Sequence, residues 1–187
     1  ILSFCELLVD QLTLTAYNIT TDADMARSVF SIDMDGDGDM DVLAASYQDN
    51  KIAWYENDGS QSFTAHTITT SAAGANCVVA IDVDGDGDVD VLSVSYTDNK
   101  IAWYENDGSE SFTPYTITPS TEGANSVYAV DMDEDGDIDV LSSSETDDKI
   151  AWYENDGSES FTAHTITTNT DWARSVFAID MDEDGDM

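Results

Sequence analysis

Five carboxylates stand within nine residues in DMDGDGDMD, which runs from Asp33 to Asp41. Unshielded, side chains this close repel, and some would have to take up protons. A hard dication removes the conflict. Calcium takes roughly six to eight oxygen ligands, and a short acidic loop can curl around it. With Asp33 as position 1, the side chains at positions 1, 3, 5 and 9 are Asp33, Asp35, Asp37 and Asp41. Position 6 is Gly38, where the backbone must turn sharply, and Asp39 at position 7 would offer its carbonyl oxygen.

The same set returns as Asp82, Asp84, Asp86 and Asp90 with Gly87 and the Asp88 carbonyl. It returns again as Asp131, Asp133, Asp135 and Asp139 with Gly136 and the Asp137 carbonyl. These three complete loops imply about one Ca2+ each. A fourth loop carries Asp180, Asp182, Asp184 and Asp186 and reaches Met187 without a position-9 ligand, so a weak or empty site is expected there. An EF-hand would need Glu at position 12 and flanking helices. Position 12 here is Ala44, Ser93 or Ser142, between strand-like segments. Magnesium prefers to keep its waters. Zinc would want Cys or His, and neither lies near. The remaining competitor is a solvated acidic turn without metal.

The elements that must hold these loops follow from the spacing. Asp33, Asp82, Asp131 and Asp180 lie 49 residues apart each time, and KIAWYENDGS begins at Lys51, Lys100 and Lys149 with the same period. A fixed period of about 20–50 residues marks a repeat architecture. One unit reads as four strands of β-formers separated by polar turns: 28–32, 42–47, 51–55 and 63–69. In Ile52-Ala53-Trp54-Tyr55 successive side chains point opposite ways, yet all four are apolar. Such a strand must be covered on both faces, as in sheets stacked face to face. Pro114 in the fourth strand predicts an outer edge, because proline cannot donate to a ladder.

The expected fold is therefore all-β, made of four-stranded antiparallel blades of a β-propeller. It has three complete blades and a partial blade at each end. The array is read as a partial blade at 1–25, repeats at 26–74, 75–123 and 124–172, and a partial fourth repeat at 173–187.

The D-x-D-x-D-G-x-x-D loop, with DNKIAWYENDG and F-T-x-H-x-I-T, resembles the FG-GAP or VCBS repeat of integrin α-subunit propellers and secreted bacterial proteins. The resemblance covers nearly the whole chain after about the first dozen residues. It implies a propeller with calcium in the first hairpin loop of each blade. It also implies export from the cytoplasm, to where millimolar calcium keeps weak loops filled. Members include adhesion modules, sugar-binding lectins and domains attached to enzymes.

Composition narrows the partners. The 187 residues hold 40 Asp and Glu against 5 Lys and Arg, for a net charge of −35. Nucleic acid is excluded, since phosphate binding needs a basic face. No stretch approaches the ~18 apolar residues of a membrane helix. Cys5 and Cys77 do not make a disulfide framework, and Asn18-Ile19-Thr20 matches a glycosylation sequon. Trp54, Trp103 and Trp152 read as core. Trp172 is the better candidate for an exposed aromatic, though packing is still its expected role. His66 and His164 share their position with Tyr115, which argues for scaffold rather than a catalytic base.

No catalytic triad or phosphate loop appears, so the chain reads as non-catalytic. The expected function is calcium-stabilised adhesion or recognition, secreted or at the cell surface, with a protein or glycan ligand. The alternatives are a self-assembling, head-to-tail filament subunit, a lectin, or an accessory domain of an enzyme.

Overall fold

The structure is a computed structural model and describes residues 16–182 and 187. The first 49-residue unit forms β1 (Ala26–Ile32), β2 (Asp41–Ser46), β3 (Lys51–Asn57) and β4 (Phe63–Thr69). The second forms β5 (Ala75–Ile81), β6 (Asp90–Ser95), β7 (Lys100–Asn106) and β8 (Phe112–Thr118). The third forms β9 (Ala124–Val130), β10 (Asp139–Ser144), β11 (Lys149–Asn155) and β12 (Phe161–Thr167). Each unit is one antiparallel meander with its strands in chain order. The turns are sharp because left-handed residues sit at fixed places, such as Asn50 at φ 54° and Asn99 at φ 58°. Asparagine tolerates that region better than most residues.

The third strand shows how the sheets cohere. Ile52 and Trp54 pack against the second sheet, in one core with Ala75, Val78, Val91 and Tyr104. Ala53 and Tyr55 point the other way, into a second cluster with Ala44, Val42 and Phe63. One unit later, Ile101 and Trp103 join Val127, Val140 and Tyr153 of the third sheet. Trp54 and Trp103 are 1% and 0% exposed, so both are core. β8, with Pro114, is an edge strand.

The expected β-propeller is not what the chain forms. The three sheets are separate, and none is closed into a barrel or propeller. Packing runs from β1, β2 and β3 onto β5, and from β5, β6 and β7 onto β9, with no comparable contact between the first sheet and the third. Of the expected partial end blades, residues 16–25 and 173–182 carry no strand, and residues 1–15 and 183–186 lie outside the described residues. A 49-residue period dictates one sheet and its fit to the next. Closure needs in addition a contact between the first and last units, which the period does not encode.

Candidate metal centres

Each acidic loop joins the first two strands of its sheet. At position 1 the Asp33 carboxylate turns one oxygen, Oδ2, back to accept the Gly38 N–H at 3.0 Å. Asp82 accepts the Gly87 N–H at 3.0 Å, and Asp131 accepts that of Gly136 at 3.1 Å. These bonds close the loop on itself. They require the left-handed backbone of Gly38 and Gly87, at φ 95° and 100°, which a side chain would strain. Asp35 and Asp37 cap the next N–H groups, accepting from Asp37 at 3.1 Å and Asp39 at 2.8 Å.

The folded loops gather carboxylate oxygens. Ligand-capable atoms of Asp33, Asp35 and Asp37 lie within 4.8 Å of one another, as do those of Asp82, Asp84 and Asp86 and of Asp131, Asp133 and Asp139. In the first and third loops the second oxygen of the position-1 residue, Oδ1 of Asp33 and of Asp131, is buried with no protein partner. A buried carboxylate oxygen without a donor is costly. A hard cation is what this donor set fits: all oxygen, several charges, one unsatisfied lone pair.

Burial pushes the Asp35, Asp84 and Asp133 carboxyls above the ordinary carboxylate range, and neighbouring aspartates push the same way. Calcium held by position 1, 3 and 5 side chains would supply the opposing charge and cross-link the loop.

Position 9 has a second role. Asp41, Asp90 and Asp139 are buried where β2, β6 and β10 begin. Asp41 accepts the Met34 N–H at 3.1 Å and the Asn57 N–H at 2.7 Å. Asp90 and Asp139 repeat both bonds with Val83 and Asn106, and with Met132 and Asn155. Only Asp139 falls inside a gathered cluster. Burial raises the Asp139 carboxyl and pushes that of Asp90 up to about 6, against the opposing effect of these hydrogen bonds.

At position 7, where the carbonyl is the expected ligand, the side chain turns to the neighbouring hairpin. The Asp39 carboxylate lies over Gly59, where an added Cβ would come within 2.4 Å of its oxygen. Asp88 and Asp137 stand the same way over Gly108 and Gly157. In the third loop Asp135 accepts the Asp137 N–H at 2.9 Å, and in the second Asp86 accepts that of Asp88 at 2.9 Å.

In the fourth loop, Asp180 accepts the Asp182 N–H at 3.2 Å, and Asp184 and Asp186 lie outside the described residues.

Asn57, Asn106 and Asn155 are the residues that the aspartate pattern did not single out. Their side-chain amides donate to Met40, Val89 and Ile138 carbonyls, so each asparagine is bonded to the acidic loop twice. Their recurrence in YENDGS was the available signal. Among the other candidates, His66 and His164 stack on Trp54 and Trp152 and bond Glu56 and Glu154, a packing role shared by Tyr115 over Trp103. Trp172 is 65% exposed, beneath the Arg174 guanidinium. Asn18 lies in a stretch without strands.

Comparison with known proteins agrees with this geometry. The family described as FG-GAP-like repeat matches residues 33–93, 82–142 and 131–187. No curated protein matches the chain. Among solved structures, an Agrocybe aegerita lectin described for recognition of non-reducing terminal N-acetylglucosamine is similar, at 18% identity and TM-score 0.55 over 78% of this chain and 40% of its own. An inactive virginiamycin B lyase from Staphylococcus aureus is similar at 15% identity and TM-score 0.56, over 83% of this chain and 46% of its own. An auxiliary nutrient binding protein from Bacteroides ovatus is similar at 14% identity and TM-score 0.53, over 75% and 35%. The chain thus spans less than half the length of each, and the likeness is one of fold.

Proposed function

The chain belongs to the FG-GAP-like repeat family, a non-catalytic one, and from that premise we propose that it is a calcium-stabilised recognition module working outside the cell. The observation that carries this is the three-fold recurrence of the gathered aspartate loop, two of the three with a buried, unpartnered carboxylate oxygen. Millimolar extracellular calcium suits loops of modest affinity. Once the ions are bound, the stacked sheets offer a rigid surface to a protein or glycan.

A glycan is favoured by one feature. A cleft of about 280 Å³ lies between the first and second units, lined by Asp35, Trp54, Asp88, Asn106 and Glu110 among others. Polar groups converging in a cleft suit the hydroxyls of a sugar ring. Calorimetric titration tests the metal reading, with about three Ca2+ per chain expected. A glycan array in calcium then tests the ligand class. Loops that take up no calcium overturn the first, and an array without hits in calcium overturns the second.

A further inference from the structure

His66 stands at the junction of the first two units. Its ring lies over Trp54 of its own sheet, with centroids 4.5 Å apart. Its two nitrogens face two carboxylates. Nε2 is 2.8 Å from Glu56 Oε2 on β3. Nδ1 is 3.9 Å from Glu110 Oε2, in the turn between β7 and β8 of the second unit. The ring therefore reaches from one sheet to the next. The side chains of His66, Glu56 and Glu110 are 31%, 34% and 51% exposed, so solvent protons have access.

A neutral imidazole has one N–H and one lone pair. With the N–H given to Glu56, the lone pair at Nδ1 meets the Glu110 carboxylate, and the two repel. The imidazolium has two N–H groups and serves both carboxylates at once, through charge-assisted bonds. The other charges around the ring point the same way. β4 holds no further ionisable residue. β3 offers Glu56, while its lysine, Lys51, opens the strand and pairs with Asp49. The β7–β8 turn offers Glu110 and Asp107, the latter accepting the Ser109 and Ser111 N–H groups. Asp35 lines the same cleft as Trp54 and Glu110. The groups facing the ring are carboxylates, and a proton on it relieves their repulsion.

The second junction is built alike with one change. Tyr115 takes the place of His66, its ring 4.8 Å from that of Trp103. Glu105 and Glu159 stand where Glu56 and Glu110 stand, 49 residues on. A hydrogen bond to Glu105 is the main influence that raises the Tyr115 hydroxyl above its ordinary range, and the charge of Glu159 adds to it. One hydroxyl gives one proton to one carboxylate, and keeps it near neutral pH. We propose that His66 is a pH-sensitive latch between the first and second units, closed onto Glu110 when the imidazole is protonated and released when it is neutral, and that the second junction has no such switch. Histidine changes charge between about pH 5 and 8, so the first junction is tighter in acid and loosens as pH rises. Glu110 also lines the cleft between these units, so the closed latch fixes one wall of that cleft.

A double-mutant cycle on the full chain tests this. H66Y copies Tyr115 and keeps a ring over Trp54. E110Q copies Gln61, the residue at the same place in the first unit. Urea unfolding of the wild type, both single variants and the double variant gives the coupling between the two positions, and the titration of carboxylates outside the pair cancels. At pH 5 the coupling should reach up to about fivefold in the unfolding constant, the range of exposed ion pairs. At pH 8 it should vanish. The reciprocal arm is Y115H with E159Q, in which Y115H should create at pH 5 a coupling to Glu159 that Tyr115 lacks. E110Q changes only an exposed side chain, and by itself should lose part of the stability that the wild type gains from pH 8 to pH 5. Coupling of equal size at both pH values overturns the proposal, because the contact is then packing alone. So does a coupling absent at pH 5, or a Y115H that brings none.

Discussion

The Asp90 carboxylate accepts the backbone N–H of Asn106 at 2.8 Å, a residue 16 positions further on, and does so fully buried. Its other oxygen accepts the Val83 N–H at 3.1 Å. One side chain thereby ties the acidic loop to the end of β7, and Asp41 and Asp139 do the same for β3 and β11. The loops are anchored to their sheets by protein groups before any ion arrives.

Replacing Asp90 by alanine orphans two N–H groups in the interior. Each costs about 1–3 kcal/mol, so D90A should lose several kcal/mol even in metal-free buffer, and D90N, which keeps one acceptor, should lose less. Urea unfolding with chelator present measures both. Equal stability of D90A and wild type would show that the carboxylate is only a metal ligand.

Acidity should stabilise the metal-free protein. The Asp90 carboxyl has its folded pKa raised from the usual 3.8 to about 6, and Asp139 is raised too, both chiefly by burial. Between those values the folded state holds a proton that the unfolded state has lost. Stability is therefore highest below about pH 4 as far as these groups go, and falls as pH rises through 6. Metal-stripped protein should melt higher at pH 5 than at pH 7, and saturating calcium should shrink or reverse that difference. Melting curves at the two pH values, with and without calcium, decide it.

Calcium should raise the melting temperature in proportion to loop occupancy. One site at 100 times its dissociation constant adds about 2.7 kcal/mol. D84A should remove one of about three bound ions and leave the other two nearly unchanged, because neighbouring repeats interact only through their shared face. Loss of all binding on this single change would mean that the loops act as one site. Calorimetric stoichiometry separates the cases.

Gly108 is held by two constraints at once. Its φ of 71° is left-handed, and an added Cβ would lie 2.5 Å from the Asp88 carboxylate. G108A should cost about 1–2 kcal/mol, and D88A in the same chain should restore the steric share. A double-mutant cycle reads the coupling directly.

Trp103 and Trp152 have the same strand position and different surroundings. W103A should cost about 3–5 kcal/mol, and W152A clearly less, because Trp152 is only partly buried. Denaturant midpoints of the two variants make the comparison.

Much of this was legible before any coordinates. Ile52 to Tyr55 announced a strand covered on both faces, and the sheets supply the cover. Pro114 announced an edge, and β8 is one. The aspartate spacing announced gathered carboxylates, and the loops gather them. Position 9 was legible only as a candidate ligand, because its second duty depends on an asparagine 16 residues away. Trp172 was singled out as the better candidate for an exposed aromatic, with packing still its expected role, and it lies largely exposed in a left-handed turn.

Taken alone, the sequence determined what is local and repeated: strand length, turn chemistry, the acidic loops and the match of one sheet to the next. These are short-range matters of backbone preference and alternation, and they recur wherever the 49 residues recur. The tertiary structure decided what depends on the ends of the stack. It left the sheets unclosed and buried Trp103 but not Trp152. The physical reason is that burial and pairing belong to contacts between units, and identical units at the middle and at the edge of a stack have different neighbours.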